Sequence, residues 1–493
     1  PDRSGCCCIS TDQSNGSRRY EAFDQSQVNT PDPGMKFDDT IAAIATALQP
    51  AGLGVIRVSG SEAVAFVDSL FMDSSGKRGI MHIPERQLVH GWIMDQDQAL
   101  DEVLVTRMQH PKTYTTEDLV EIHAHGSVLG LQAILSLVLA QGARLARPGE
   151  FTERAFLGGR MDLTRVEAVS DLIQAKSSLA LRQAAKQLQG KLYQKIEDFR
   201  HQLVDTASIL EAVIEFPDEG VDFGSRKECI SRLEHLISGL ERMLLNASQG
   251  RRIRDGIGIA LIGKPNVGKS SLLNSMLHEA RAIVTTVPGT TRDTIEESIQ
   301  IEGLAYRLTD TAGIRESTNQ VESEGIQRSR KIWKESELTL LLLDASNMLN
   351  EEDLMLLEKS DPAKTLVVAN KMDLCLEEQP SWMEHLKDFE WSPISARQGM
   401  GIEDLKHRIH LRCTSGFQAQ SEEGWLTNLR QQEAGEQALA SLQRALSGMH
   451  EHQGEELVAV DLRSALNAFG EIVGETTSED LLARIFSEFC IGK

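Results

Sequence analysis

The sequence predicts a multidomain α+β protein: an N-terminal α+β domain, an all-helical domain in two separated parts, and an α/β domain inserted between those parts. Three observations predict it. Short strand-like apolar runs dominate to about residue 155, long amphipathic stretches with few breakers follow and return near the end, and from Gly256 the pattern alternates strand and helix. At 493 residues the chain has length for about three domains.

Composition narrows the class. With 41% hydrophobic and 25% charged residues the balance is that of an ordinary globular protein. The longest apolar run, "LTLLLLDA", suits a buried strand and falls far below the ~20 residues of a membrane helix. Seven Cys occur, three of them adjacent as Cys6, Cys7 and Cys8, without the paired C-x-x-C spacing of a zinc site or a disulfide framework. That pattern predicts a reducing compartment, the cytoplasm. A net charge of −22 excludes a protein that coats nucleic acid nonspecifically, since phosphate contact needs a local Lys/Arg excess.

Each segment follows from its own pattern. Residues 1–37 are polar and aperiodic and read as a disordered extension or artificial tail, with Met35 a plausible original start. Residues 38–157 carry the strand-like "GVIRVSG", "LVHGWIMD", "DEVLVTRM" and "DLVEIHAHG", with helices at "SEAVAFVDSLF" and "SVLGLQAILSLVLAQGA". Residues 158–250 form the first helical part, through "TRVEAVSDLIQAKSSLALRQAAKQL" and "RKECISRLEHLISGLERMLLNAS". Residues 251–413 are the α/β block, opened by "RRIR" at Arg251–Arg254, a basic run read as a solvated segment. After the polar "TSGFQAQSEEGW", residues 414–493 return to helical periodicity.

The α/β block carries phosphate chemistry. "GIALIGKPNVGKSSLLNSML" places Gly263, four residues, then Gly268, Lys269 and Ser270 between an apolar strand and a helix. Glycines let successive N–H groups of Asn266, Val267 and Gly268 point inward at phosphates, and the helix start at Ser270 and Ser271 adds favourable dipole charge. Lys269 reaches the outer phosphates and Ser270 ligates Mg²⁺. Three more motifs follow in order: "DTAG" at Asp310, Thr311, Ala312 and Gly313; "NKMD" at Asn370, Lys371, Met372 and Asp373; and "ISAR" with Ser395, Ala396 and Arg397. The first sets an acid near Mg²⁺, and Asp373 accepts from two donors on a guanine edge that adenine lacks. Four ordered motifs predict a Ras-like P-loop G domain that binds GTP. The loop "VTTVPGTTRD" adds Thr285, Thr286, Val287, Pro288, Gly289, Thr290 and Thr291 to the nucleotide site, with Thr291 a second candidate Mg²⁺ ligand.

Hydrolysis lacks two familiar parts. Where Ras-like proteins place a water-orienting Gln after D-x-x-G, this chain has Ile314, and the following "IRESTNQVESEGI" offers Arg315, Glu316, Glu322 and Glu324 without distinguishing them. A counter-charge for the transferring phosphoryl group is also needed. Asn266 supplies an amide oxygen beside the phosphates, and carbonyl and amide oxygens are what a monovalent cation prefers, so K⁺ is one candidate and an ordinary loop Asn the other.

At the far end, "SEFCIGK" places Cys490 fourth from the end. Gly492 and Lys493 fit a prenyl acceptor badly, which leaves packing or chemistry.

Together "GVIRVSG", "PKTYTTEDLVEIHAHG", "RPGEFTERAFLGGRMDLTRVEAVSDLI", "VPGTTRDT", "DTAGIRE" and "GEIVGETTSEDLLARIFSEFCIGK" resemble the MnmE (TrmE) family of tRNA wobble-uridine modification GTPases over residues 38–493. The resemblance implies an N-terminal folate-binding domain that forms a homodimer, a discontinuous helical domain and an inserted G domain. It also implies an FAD- and NADH-dependent partner, MnmG, in a heterotetramer that installs an aminomethyl-type group at C5 of the tRNA wobble uridine. A tetrahydrofolate derivative supplies the one-carbon unit. By the same resemblance Asn266 holds K⁺ with the carbonyls of Thr285, Val287 and Thr290, Ser270 and Thr291 hold Mg²⁺, and Glu322 orients the water. Arg57, Glu121, Arg160 and Lys493 match folate contacts, and Cys490 belongs to one-carbon chemistry. Two places depart from the family pattern: its Gly-rich loop reads "ALQPAGLG" and its H-G-G reads "HGS" at His125–Ser127. The alternative function is a regulatory or assembly GTPase that binds RNA or ribosome without one-carbon chemistry, a switch that would bind no folate.

Overall fold

A computed structural model describes residues 39–215, 224–280, 296–310, 331–375, 380, 382–415, 417, 426–452, 454–476 and 478–493. They form two compact units, one ending at Ser170 and rejoined by Gly474–Lys493, the other Asp171–Val473.

The first unit is built on a seven-stranded sheet, with strands β1 Ile41–Ile44, β2 Ala51–Ser59, β3 Phe71–Asp73, β4 Val89–Asp95, β5 Gln98–Met108, β6 Leu119–Gly126 and β7 Arg144–Leu145, in the order β3-β4-β5-β6-β2-β1-β7. All pairings are antiparallel except β1 with β7. Alternation decides the faces. Ile56 and Val58 of β2, Val103 and Val105 of β5, and Val120 and Ile122 of β6 enter the core, which helices α1 Ala63–Asp68 and α2 Val128–Ala140 cover. Gly54 has no room for a side chain, since a Cβ there would meet Leu131 at 2.5 Å. Ser127, in the departing "HGS", caps α2 by accepting from Gly130 N.

Arg57 of β2 and Glu121 of β6 are cross-strand partners on the opposite face, where His123 also points. Beyond the sheet lie α3 Glu150–Leu157 and α4 Leu163–Gln174. Gly474–Lys493 lies within the stretch 414–493 that periodicity groups with the second helical part. It clusters with the first unit because Phe486 and Phe489 share a small core with Ala155, Leu163 and Val166.

In the second unit the helices α5 Ser178–Leu188, α6 Lys191–Glu215, α7 Gly224–Leu245 and α8 Ala247–Asp255 precede an α/β block. That block holds β8 Ile257–Ile262, α9 Lys269–Ala280, β9 Glu296–Ile301, β10 Leu304–Asp310, β11 Leu338–Asp344, α10 Glu351–Lys359, β12 Thr365–Asn370, β13 Glu390–Pro393 and α11 Ile402–Thr414. Helices α12 Leu429–His450 and α13 Glu455–Val473 follow, and one core joins residues from both sides of the block, among them Leu192, Phe199, Leu236, Leu442 and Phe469. The block is therefore an insertion into one helical body.

Its sheet runs β13-β12-β11-β8-β10-β9 with only β9 antiparallel. Strands buried on both faces, such as the fully buried "LTLLLLD", are what a parallel sheet demands. The order reverses direction at β8, so a crevice opens beyond its carboxyl end.

The basic run Arg251–Arg254 differs from its solvated reading. It lies in α8, where Arg252 forms an ion pair with Glu337 at 2.5 Å, donates to Cys413 O at 2.7 Å and stacks on Phe417, while Arg254 pairs with Asp171 at 2.6 Å. Arg252 thus ties α8 to the inserted block, and Arg254 ties the same helix to α4.

Candidate functional sites

The loop beyond β8 sits in the crevice. Gly263 and Gly268 take positive φ of 150° and 98°, and a Cβ on Gly268 would meet Asn370 Nδ2 at 2.3 Å, so glycine is required there. Asn266 is also left-handed, with φ of 63°, at an exposed turn. Val267 is buried beneath it, whereas Ser270 and Ser271 are exposed at the start of α9. Buried Lys269 folds over the loop and donates from Nζ to Gly263 O at 2.7 Å and Lys264 O at 2.8 Å. Lys264 in turn pairs with buried Asp353 in the first turn of α10 at 2.5 Å, which anchors the loop from outside. Asp310, buried, ends β10 beside β8.

The base-recognition motifs converge on the same loop. Asn370 at the end of β12 donates to Val267 O at 2.8 Å and accepts from Ala396 N at 3.0 Å, so one side chain joins three motifs. Ser395 Oγ donates to Asp373 Oδ1 at 2.6 Å, which orients the Asp373 carboxylate. Met372 is half-buried and Arg397 exposed. Lys371 pairs with Asp344, a residue that motif reading missed. The available signal was its place: like Asp310 and Asn370, it ends a buried parallel strand at the crevice. Burial works to raise the Asp344 carboxyl, but hydrogen bonds from Lys371, Ser346 and Asn347 outweigh it and hold it below the ordinary range. Thr285, Thr286, Val287, Pro288, Gly289, Thr290, Thr291, Thr311, Ala312, Gly313 and Glu322 lie outside the described residues.

A second constellation lies wholly in the first unit. Arg57 donates to Glu121 Oε1 from Nε at 3.0 Å and Nη2 at 2.8 Å, and its guanidinium lies over the rings of Tyr114 at 5.3 Å and Phe151 at 5.7 Å. Arg160 stacks on the same Tyr114 ring at 4.7 Å and donates to Tyr114 O at 3.0 Å. The chain end is held there by the start of α3, where Gly149 N donates to Cys490 O at 3.4 Å and Phe151 N to Lys493 O at 3.1 Å. Burial and the positive field of Arg57 pull the Lys493 ammonium below its ordinary range, against Glu121 and Cys490. Cys490 is exposed. The four candidates Arg57, Glu121, Arg160 and Lys493 thus share one side-chain cluster, with Cys490 beside it. Tyr114 and Phe151, which sequence reading did not single out, supply its aromatic rings.

A buried ion network supports that cluster. Arg154 pairs with Asp39 at 2.7 Å, Glu117 at 3.0 Å and Glu150 at 3.3 Å, and Arg144 pairs with Asp39 at 2.7 Å and Glu150 at 2.6 Å. Among the described residues no group of His, Cys, Asp and Glu is arranged to hold a metal, and no helix is long and apolar enough to cross a membrane.

Residues 40–160 match the family model "GTP-binding protein TrmE N-terminus", and residues 163–490 match the "MnmE helical domain". The chain is 41% identical over 462 residues to the tRNA modification GTPase MnmE of Alkaliphilus metalliredigens, covering 93% of this chain and 100% of that protein. It is 44% identical over 463 residues to the same-named protein of Syntrophus aciditrophicus, covering 92% and 99%. Among solved structures, the G domain of the T. maritima FeoB iron transporter aligns with 32% of this chain and 98% of its own at 26% identity, with a TM-score of 0.24.

Proposed function

The chain belongs to the MnmE (TrmE) family, and on that premise we propose that it is a GTPase of tRNA modification that couples K⁺-assisted GTP hydrolysis to one-carbon transfer from a tetrahydrofolate derivative. It acts as a homodimer with an FAD- and NADH-dependent MnmG-type partner and installs the aminomethyl-type group at C5 of the tRNA wobble uridine.

One observation carries the reading. Two guanidinium groups, an ammonium, a carboxylate and two aromatic rings meet in one cluster of the first unit, at Arg57, Arg160, Lys493, Glu121, Tyr114 and Phe151. That donor set fits a folate: the cations suit an anionic glutamate tail, the carboxylate suits amino and ring N–H donors, and the rings suit a flat heterocycle. Bound there, the folate supplies a one-carbon unit. Cys490 stands near the Lys493 ammonium and is the chain's nucleophile candidate for the one-carbon chemistry.

At the nucleotide, the chain's own groups bind and orient. Lys269 and the loop N–H groups receive the phosphates, and Asn370, Asp373 and Ala396 frame the base. Hard oxygens of Ser270 and Asp310 suit Mg²⁺, with Thr291 the further ligand. The amide oxygen of Asn266 suits K⁺, with the carbonyls of Thr285, Val287 and Thr290, and such a cation offsets charge that an arginine finger otherwise meets. Glu322 orients the attacking water.

The deciding experiment combines purified protein, MnmG-type partner, tRNA and tetrahydrofolate in a modification assay, with calorimetry of tetrahydrofolate on the chain alone. Folate binding and modified uridine are expected. A GTPase that hydrolyses GTP yet binds no tetrahydrofolate is a switch, and the one-carbon reading then fails.

A further inference from the structure

We propose that His123 is a further ligand-binding residue of the first-unit cluster, acting with Glu121 to grip an adjacent donor and acceptor on the edge of the bound heterocycle. The proposal rests on the folate reading and adds a residue to it.

Strand alternation puts Glu121 and His123 on one face of β6, opposite Arg57 and Val55 of β2. The two oxygens of Glu121 are used differently. Oε1 accepts twice from Arg57, while Oε2 lies 3.6 Å from His123 Nε2, beyond hydrogen-bonding reach. His123 Nε2 is shielded from solvent and has no hydrogen-bond partner among the described residues. The neighbouring sheet histidines contrast with it, since His125 pairs with Asp101 at 2.7 Å and His90 with Glu102 at 2.6 Å. A shielded ring nitrogen without a partner is costly in a finished structure and calls for one.

An amide or amidine edge supplies that partner. Its N–H donates to Glu121 Oε2, and its adjacent oxygen or ring nitrogen accepts from His123 Nε2–H. A reduced pterin carries such edges, whereas its benzoyl-glutamate tail has no cyclic one. His123 therefore selects for the heterocycle, leaving the tail to the cations.

Calorimetric titration of the full chain with tetrahydrofolate tests this. His123→Phe keeps the ring shape without the donor and is expected to bind about tenfold more weakly, the loss of one hydrogen bond to a shielded group. His123→Gln restores an N–H at similar reach and is expected to bind within about twofold of the parent. His123→Leu repeats the deletion in a smaller side chain should the Phe variant not fold. A parental circular dichroism spectrum and urea unfolding transition report that each variant is folded. Parental affinity in the Phe or Leu variant, or a Gln variant as weak as they are, overturns the role of His123. Absence of binding by the parent overturns instead the folate reading beneath it.

Discussion

The ammonium of Lys371 lies 2.7 Å from the carboxylate of Asp344, across the ends of two strands whose residues Asp344 and Asn370 pair in register. Lys371 holds a left-handed φ of 68°, a conformation that a long side chain adopts only when its surroundings impose it. The ion pair and the two hydrogen bonds of Asn370 impose it here and fix the turn that follows β12.

Asp344→Asn is therefore expected to raise KM for GTP about fivefold with kcat unchanged, since the carboxylate acts through Lys371 and touches no reacting atom. In a Lys371→Met background the same change should add little, because both variants break one interaction. Additive losses in steady-state kinetics would show that Asp344 works by another route.

Arg252 joins Glu337, the carbonyl of Cys413 and the ring of Phe417, and so bonds α8 to two parts of the inserted block and to the segment that follows it. Arg252→Ala should destabilise the chain by about 2 kcal/mol, because an acceptor and a carboxylate lose their partner together. Urea unfolding followed by circular dichroism reads the shift. An unchanged midpoint would reduce these contacts to surface decoration.

Legibility followed locality. The phosphate loop, the base motifs and the alternating strands are short-range patterns, so the residues that carry them could be read along the chain. Asn370 was assigned to the base, and only the fold revealed that its amide also reaches Val267, 103 positions away. Helical periodicity likewise identified α14 Glu479–Ser487 but not its destination, because an amphipathic stripe says that a face is buried and not against what. The run Arg251–Arg254 misled for the same reason: charge reads as solvated unless its partners, Asp171, Glu337 and Phe417, are brought to it by tertiary contact.

GTP turnover should rise severalfold when Na⁺ is replaced by K⁺, and Asn266→Ala should abolish that rise, since an amide oxygen is lost from the exposed left-handed turn. Equal rates in both salts would remove the cation from the scheme. Glu322→Ala should keep nucleotide affinity and lose about a hundredfold in kcat, the scale of a positioned acid–base group. Undiminished turnover would transfer the role to Arg315, Glu316 or Glu324.

Acid should loosen the first unit through Glu150, whose side chain is 1% exposed. Burial works to raise its carboxyl, but the hydrogen bond from Arg144, the backbone N–H of Arg147 and the charges of Arg144 and Arg154 outweigh it, leaving a lowered value. A carboxyl lowered by folding stabilises fully above its unfolded value of about 4.3 and loses that contribution as pH falls through the folded one. Asp39, also lowered, adds to the loss, whereas Glu153, raised chiefly by burial, destabilises at neutral pH and sheds that cost above about 4.3, before the loss through Glu150 begins. Glu150→Gln removes a buried carboxylate, leaving Arg144 and Arg154 short of a counter-charge at neutral pH, which costs about 3 kcal/mol. The variant's urea midpoint should lie well below the parent's at pH 7, and the gap should shrink as pH falls below about 4.3, where the unfolded parent takes up at Glu150 the proton that the folded state resists. A gap that stayed constant as pH fell would mean that Glu150 contributes by shape alone.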